Sequence, residues 1–426
     1  MSKPEQPTRR DFLKGSTAIA AGAALGSSLS IARSAHAAGP DQLKVALIGC
    51  GGRGTGAAVN CLNVKDDIKL VAVADAFEDN AQRALGNIKR QHADKVDVPP
   101  ERVFSGFDAY KQAIDSGVDM VILATSPGFR PIHYSAAIKA GKHVFMEKPC
   151  CTDAPGFRLL METNKLADEK GLKVVVGLQR RHDPRYQETI QRIQDGALGD
   201  LMLLRAYWNG GGVWIRGRKP EQTEMEYQMR NWYYFVWLCG DHICEQHVHN
   251  LDIANWARGD HPVEANGMGG RQVRTQKDTG EIYDHHFIEF TYADGSKMYS
   301  QCRHQPNTWS NVSEAAHGTK GTSNCCGSIS GENEWRYEGK GVNPYDQEHV
   351  DLVSAIRKNE KLNDGWHGAT SSFTAVLGRM ATYSGKVVKW DEAAAKGPEE
   401  MPYGVDLTCD SKPPVVPDAE GNYPVA

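Results

Sequence analysis

Leu43-Lys44-Val45-Ala46-Leu47-Ile48 runs without a break into Gly49-Cys50-Gly51-Gly52-Arg53-Gly54, and this junction restricts the fold more than any other feature of the chain. A β-rich run that ends in G-x-G-x-x-G, followed by Thr55-Gly56-Ala57-Ala58-Val59 able to open a helix, predicts the first half of a βαβ unit. The second strand is read at 68–74 and ends at Asp75, 21 residues beyond Gly54. Each part has a mechanical task. Gly49 permits the tight turn, Gly51 lets the backbone approach a pyrophosphate, and Gly54 lets helix and strand pack closely. The helix N-terminus offers free N–H groups and the positive end of its dipole to phosphates. Asp75 can accept hydrogen bonds from ribose hydroxyls, so the unit predicts NAD, with NADP less favoured.

The alternation of strand and helix continues. Residues 118–125 read as a buried parallel strand, with Thr125 and Ser126 at its carboxyl end, where such sheets bind ligands. A helix is expected over 133–140, stopped by Gly141. The strand His143-Val144-Phe145-Met146 then leads into Glu147-Lys148-Pro149, and a helix over 154–169 precedes a strand over 172–178. After residue 200 strand follows strand, at 201–208, 287–292 and 297–303, with Asp294-Gly295 as a hairpin turn between the last two. The pattern predicts an α/β Rossmann domain followed by a region in which strand follows strand, a different layer architecture.

Before all this stands an address. Residues 1–37 hold Thr8-Arg9-Arg10-Asp11-Phe12-Leu13-Lys14, then a mildly apolar stretch of small residues, then Ala35-His36-Ala37, an A-x-A cleavage pattern. The order is that of a twin-arginine signal, which predicts export to the periplasm by the twin-arginine machinery. That route carries folded proteins, so it also predicts a cofactor acquired before export and tightly held. The signal has five basic and two acidic residues, so the net charge of −4 becomes about −7 after cleavage. This disfavours nucleic acid as a partner. No apolar run reaches the roughly 20 residues of a membrane span. The ten cysteines include no C-x-x-C and are read as small buried side chains.

The residues resemble the glucose–fructose oxidoreductase/inositol dehydrogenase (Gfo/Idh/MocA) family. The matching pieces are the glycine motif, Val73-Ala74-Asp75, Ala140-Gly141-Lys142-His143-Val144, Glu147-Lys148-Pro149, Gly177-Leu178-Gln179-Arg180-Arg181-His182-Asp183-Pro184, Gly199-Asp200 and His317-Gly318-Thr319-Lys320-Gly321-Thr322. The resemblance implies a Rossmann cofactor domain over 38–180, then over 181–395 an α+β substrate and oligomerisation domain with a large, mostly antiparallel open sheet, with closing helices within 346–384 that pack back on the first domain. An extended tail at 396–426 follows. It also implies a homo-oligomer, dimer or tetramer, formed through the sheet.

Hydride transfer from an alcohol requires a base for the hydroxyl proton. Lys148, at the end of a parallel strand, is the first candidate. Residues 241–252, read as one helix, bring Asp241, Glu245, His249 and Asp252 within about 80° of one another. In the family pattern Glu245 takes the position of an Asp and His249 that of the His four residues on, with Asp252 as the following acid. Glu for Asp is a departure that changes the reach of the carboxylate. The catalytic set is therefore Lys148, His249 and Glu245. The cofactor set is Gly49, Gly51, Gly52, Arg53, Gly54, Asp75, Thr125, Ser126, His133, Glu147 and Lys148, and the substrate side is Arg180, Trp208 and Asp252. No metal is expected, since His242, Glu245 and His247 form H-x-x-E-x-H, which is not a zinc-enzyme spacing. His285, His286, Arg303 and His304 are further candidates for the same pocket, and aromatics from Trp208 to Trp237 are a candidate platform for sugar rings. The predicted activity is oxidation and reduction of a sugar or polyol hydroxyl by an enzyme that keeps its cofactor. The alternative is NAD-dependent, redox-neutral cleavage of a glycoside by transient oxidation and elimination.

Overall fold

A computed structural model describes residues 41–424. The export signal predicted at 1–37 lies outside the described residues. The first sheet has six parallel strands: β1 (Leu43–Ile48), β2 (Ile68–Asp75), β3 (Val103–Ser105), β4 (Met120–Leu123), β5 (His143–Met146) and β6 (Val174–Val176). Their spatial order is β3-β2-β1-β4-β5-β6. The order reverses between β1 and β4, and the loops beyond their carboxyl ends, 49–52 and 124–127, open the crevice where such sheets take ligands. The strands are apolar on both faces because helices cover both.

The second sheet has nine strands in the order β14-β13-β12-β11-β7-β10-β9-β8-β15. These are β7 (Leu201–Gly210), β8 (Glu264–Gly270), β9 (His285–Thr291), β10 (Lys297–His304), β11 (Asn311–Gly318), β12 (Gly321–Ser323), β13 (Ser328–Gly331), β14 (Trp335–Arg336) and β15 (Val388–Lys389). All its pairings are antiparallel except β7 with β10. Alternation decides the faces: Met298, Ser300, Cys302 and His304 of β10 point inward. The hairpin at Asp294-Gly295 forms as read, with Gly295 at φ +86°.

The closing helices span Pro344–Lys358 and Gly365–Ser384. Leu352, Val353 and Ile356 of the first pack with Leu43, Val45 and Leu47. Phe373 of the second stacks on Phe157 at 4.4 Å. Each such fully buried side chain contributes about 1.5–3 kcal/mol. Among the described residues the tail carries no helix or strand after Lys396, and its Met401, Leu407 and Tyr423 are buried on the chain's own aromatic cluster around Phe235 and Trp237. All ten cysteines are unpaired, eight of them buried.

Candidate active site

The glycine motif sits at the reversal point. Gly49 has φ +97°, and a Cβ there would fall 2.3 Å from the Thr125 nitrogen. A Cβ on Gly54 would fall 1.9 Å from the Gly49 carbonyl oxygen, so only hydrogen permits this contact of helix and turn. Beside Gly51 and Gly52 a Cβ would meet nothing within 4 Å. The helix Gly52–Asn63 begins without a side-chain cap, which leaves its first N–H groups available to an anion. Asp75 accepts N–H hydrogen bonds from Cys50 (2.7 Å), Phe77 (3.0 Å) and Asn80 Nδ2 (3.1 Å). Burial raises its carboxyl above the usual range. Thr125, Ser126 and His133 line the same cleft. His133 Nδ1 lies 3.2 Å from Thr125 Oγ1, and its ring stacks on Tyr110 at 4.1 Å. Burial, aided by Arg130, pushes His133 down to about 3, so the ring is neutral. Open space beside two glycines, an uncapped helix and a carboxylate at the end of β2 fit a dinucleotide.

A second cavity, of about 470 Å³, adjoins this cleft. Ala124 and Trp232 line both. Its walls hold Arg53, Glu147, Lys148, Arg180, Trp208, Glu245 and His249, which come from five separate stretches of sequence. Lys148 Nζ donates to Glu245 Oε1 at 3.1 Å and also to the Glu245 backbone carbonyl. Arg53 Nε donates to Glu147 Oε1 at 2.5 Å, and its Nη2 lies 3.4 Å from Glu348. Arg180 donates to Glu314, which Asn250 also reaches. The Trp208 ring stacks on His249 at 6.1 Å. Burial, then Lys148, Arg180 and Arg53, hold His249 well below the ordinary imidazole range. The ring is therefore neutral and able to accept a proton, and its buried Nδ1 has no partner among the described residues.

Several expectations change. Residues 241–252 are not one helix. Short His242–Glu245 and Val248–Arg258 are separated at Gln246 and His247, and Asp241 precedes them at φ +74°. Asp241 is pulled out of the series by its own bonds, from Tyr383 Oη (2.6 Å), the Tyr283 nitrogen (3.0 Å), His286 Nε2 (3.2 Å) and His242 Nδ1 (2.8 Å). Glu245 turns to Lys148 and not to His249. Asp252 is absent from the cavity wall, because Arg181 (2.8 Å) and Ser371 (2.7 Å) engage it in the interior. His286 and His304 belong to the buried cluster around Asp241, on the inner face of the sheet, whereas His285 and Arg303 point the other way. Of the aromatic series, Trp208 and Trp232 reach the cavity, while Tyr227, Tyr233, Tyr234, Phe235 and Trp237 are core.

Asp241, His242 and His286 bring potential metal-ligating atoms within 4.8 Å of one another. Arg274 Nη1 lies 3.3 Å from His242 Nδ1, so a cation would meet a guanidinium there. Arg130, Gln179 and Tyr345 also line this second cavity and were not foreseen as site residues. Tyr345 arrives from a closing helix, where no local pattern marks it.

Residues 43–178 match the oxidoreductase family model with an NAD-binding Rossmann fold, Gfo/Idh/MocA. Residues 6–26 match the signal sequence of the twin-arginine translocation pathway. Inositol 2-dehydrogenase of Rhizobium meliloti (strain 1021) is 26% identical over 219 residues, covering 51% of this chain and 56% of the relative. The chain thus spans little more than half the length of that curated relative. Aldose-aldose oxidoreductase from Caulobacter crescentus superimposes with a TM-score of 0.63 at 18% identity, over 82% of this chain and 100% of the other. Scyllo-inositol dehydrogenase from Lactobacillus casei with bound NAD(H) and scyllo-inositol gives 0.61 at 18%, over 82% and 99%. At these identities the likeness to both solved structures is one of fold. No helix of the described residues is long and apolar enough to cross a membrane. Residues 43–178 of this chain are thus similar to the NAD-binding Rossmann unit of the Gfo/Idh/MocA oxidoreductase family.

Proposed function

We propose that this protein is a periplasmic oxidoreductase that acts on a hydroxyl of a sugar or polyol and keeps its NAD through turnover. The observation that carries the reading is the meeting of Lys148, Glu245 and the neutral His249 in one cavity that opens beside the dinucleotide cleft at Ala124 and Trp232. NAD, when bound, supplies the hydride acceptor and donor. The turn 49–54 and the uncapped helix Gly52–Asn63 hold its pyrophosphate, and Asp75 takes a ribose. Arg53 fixes Glu147, so the strand end that carries Lys148 is held in place. Lys148 orients the substrate hydroxyl, Glu245 holds the ammonium, and His249 receives the proton. Trp208 offers an apolar face to a ring, and Arg180 is steadied by Glu314. Periplasm contains little free nicotinamide nucleotide, so an exported enzyme that released it would stop. A retained cofactor reoxidised by a second substrate solves this.

The test is a single-turnover assay on purified protein with no added cofactor. Inositols, aldoses and aryl glycosides are supplied one at a time. A rise in the near-ultraviolet absorbance of reduced nicotinamide, reversed by a second carbonyl substrate, is the expected result. Aglycone release from an aryl glycoside without net absorbance change would replace this reading by redox-neutral glycoside cleavage.

We propose that the open face of the second sheet joins copies of the chain into a dimer or tetramer. On that face Met268 pairs in register with Phe287, 73% and 39% exposed, and Trp309, 58% exposed, meets Tyr207 edge-on, an apolar display of the kind that marks contact surfaces. Light scattering of the purified protein should give a multiple of the chain mass, and a monomer would refute the assignment.

A further inference from the structure

The dinucleotide cleft is not walled by the first domain alone. Arg216, Met229, Arg230 and Trp232, from the segment that follows β7, line it opposite Asp75, Asn80 and Arg83. Arg230 is the point of attachment. Its guanidinium meets both carboxylate oxygens of Asp79, at 3.1 and 3.3 Å. It lies over the Phe77 ring at 3.9 Å, and Glu226 holds its Nε at 2.8 Å. Asp79 stands in the first turn of the helix Glu78–Gln91, directly after β2. The contact therefore fastens the second domain to the same turn that presents Asp75. A planar guanidinium that is bidentate on a carboxylate and stacked on a ring is a more specific contact than an ammonium could make.

The segment has its own support. Thr223 Oγ1 donates to the Cys409 carbonyl at 2.5 Å, Gln228 Nε2 to the Val415 carbonyl at 2.8 Å, and Tyr423 Oη to Glu224 at 2.5 Å. Tyr423 also packs edge-on against Phe235 at 5.0 Å. The C-terminal tail is thereby tied to the helix Glu224–Arg230, on which Arg230 sits. Arg216 reaches the cleft wall as a further guanidinium, stacked near Trp214 at 4.9 Å, and has no acidic partner within ion-pair distance among the described residues.

We infer that residues 213–232, braced by the C-terminal tail, form a clasp over the adenosine side of the cleft, with Arg230 as its catch and Arg216 facing the nucleotide's anionic groups. The clasp is what retains the nucleotide between catalytic cycles. A nucleotide bound in the crevice leaves only after Arg230 parts from Asp79 and Phe77, so the clasp acts on the rate of release. This rests on the nucleotide-retaining reading proposed above and supplies its physical means.

The experiment measures nicotinamide nucleotide content after gel filtration, and the rate of its release on dilution into a capturing enzyme. The intact protein is compared with Arg230→Ala, Asp79→Asn and a chain ending at Thr408. Release about tenfold faster or more in Arg230→Ala and Asp79→Asn, with unchanged melting of the nucleotide-free proteins, is the expected result. The shortened chain should release faster too. Asp79 is more than half exposed, so Asp79→Asn tests the catch even if Arg230→Ala does not fold. Release within about twofold of the parent in every variant that folds would overturn the clasp and leave the nucleotide reading standing. A parent protein that neither carries nor binds NAD(H) or NADP(H) would overturn both.

Discussion

Lys148→Ala is expected to lower kcat by about 10²–10⁴-fold, the usual worth of a positioned proton-transfer group, while the purified variant keeps its nucleotide. The two effects separate because Lys148 lies at the end of β5, apart from the turn after β1 and the helix Gly52–Asn63 proposed for the phosphates. His249→Asn should cause a loss of similar size, again with nucleotide retained. The two residues are also coupled. Lys148 is the second cause, after burial, that holds His249 below the ordinary range. A depressed imidazole stays neutral as pH falls through 6.5, so the acid limb of kcat/KM should lie below that value in the parent. Removing the Lys148 ammonium takes away one positive neighbour, and the acid limb of the residual activity should move upward. Kinetics across pH on both variants check this. A rate within a few fold of the parent in either would remove that residue from its proposed role.

Acid should unfold this protein early. Burial, in every case the largest influence, pushes His133, His247 and His349 to about 3 and His143 and His242 to about 4, from an ordinary 6.5. In the unfolded chain these rings take up protons as pH falls through 6.5, while in the native protein they do not. The unfolded state then binds more protons, so stability must fall with pH across this window. Each ring contributes about 1 kcal/mol per pH unit there. Five together predict a loss of several kcal/mol between about pH 6.5 and 5. His182 works in the opposite sense. Burial opposes its charge, but hydrogen bonds to Asp351 and Asp364 lift it to about 9. Its contribution is complete below 6.5 and is lost as pH rises towards 9. Urea unfolding at a series of pH values should show stability that peaks near neutrality and drops steeply on the acid side. A flat profile from 6.5 to 5 would mean that the buried rings are solvated in the native protein.

The cofactor half was legible because each of its signals is local. The Gly49 turn, the strand pattern of β1 and β2, and the acid at Asp75 are all set by neighbours within some thirty residues. The hairpin at Asp294-Gly295 was legible for the same reason. The helix expected over 241–252 fails because Asp241 answers to a partner 142 residues away, Tyr383, and to His286 on β9. The angular argument that grouped Asp241 with His249 assumed no such pull. Glu245 was read beside His249, but the partner it meets on the cavity wall is Lys148, at the end of β5. His285, His286, Arg303 and His304 were read together as candidates for one pocket, yet alternation along β9 and β10 puts His285 and Arg303 on one face and His286 and His304 on the other. It did not say which face was inward, since that depends on the helices laid across the sheet. Arg130 and Tyr345 carry no local mark of their position, because one follows a generic helix start and the other opens a closing helix.

The single parallel pair in the second sheet has a consequence for how such a protein changes its substrate. β7 and β8 run in the same direction, with β10 and β9 between them, and strands of like direction cannot be joined by a tight turn. The chain must travel back along the sheet before β8 can begin. Residues 211–263 are that return path, and Glu245, His249 and Trp232 are carried on it. The detour is compulsory for the topology, while no strand takes its register from it. New side chains, and even new lengths of chain, can therefore be written into it without shifting the register of any strand, which makes it the natural place for lineages of this fold to diverge in what they recognise.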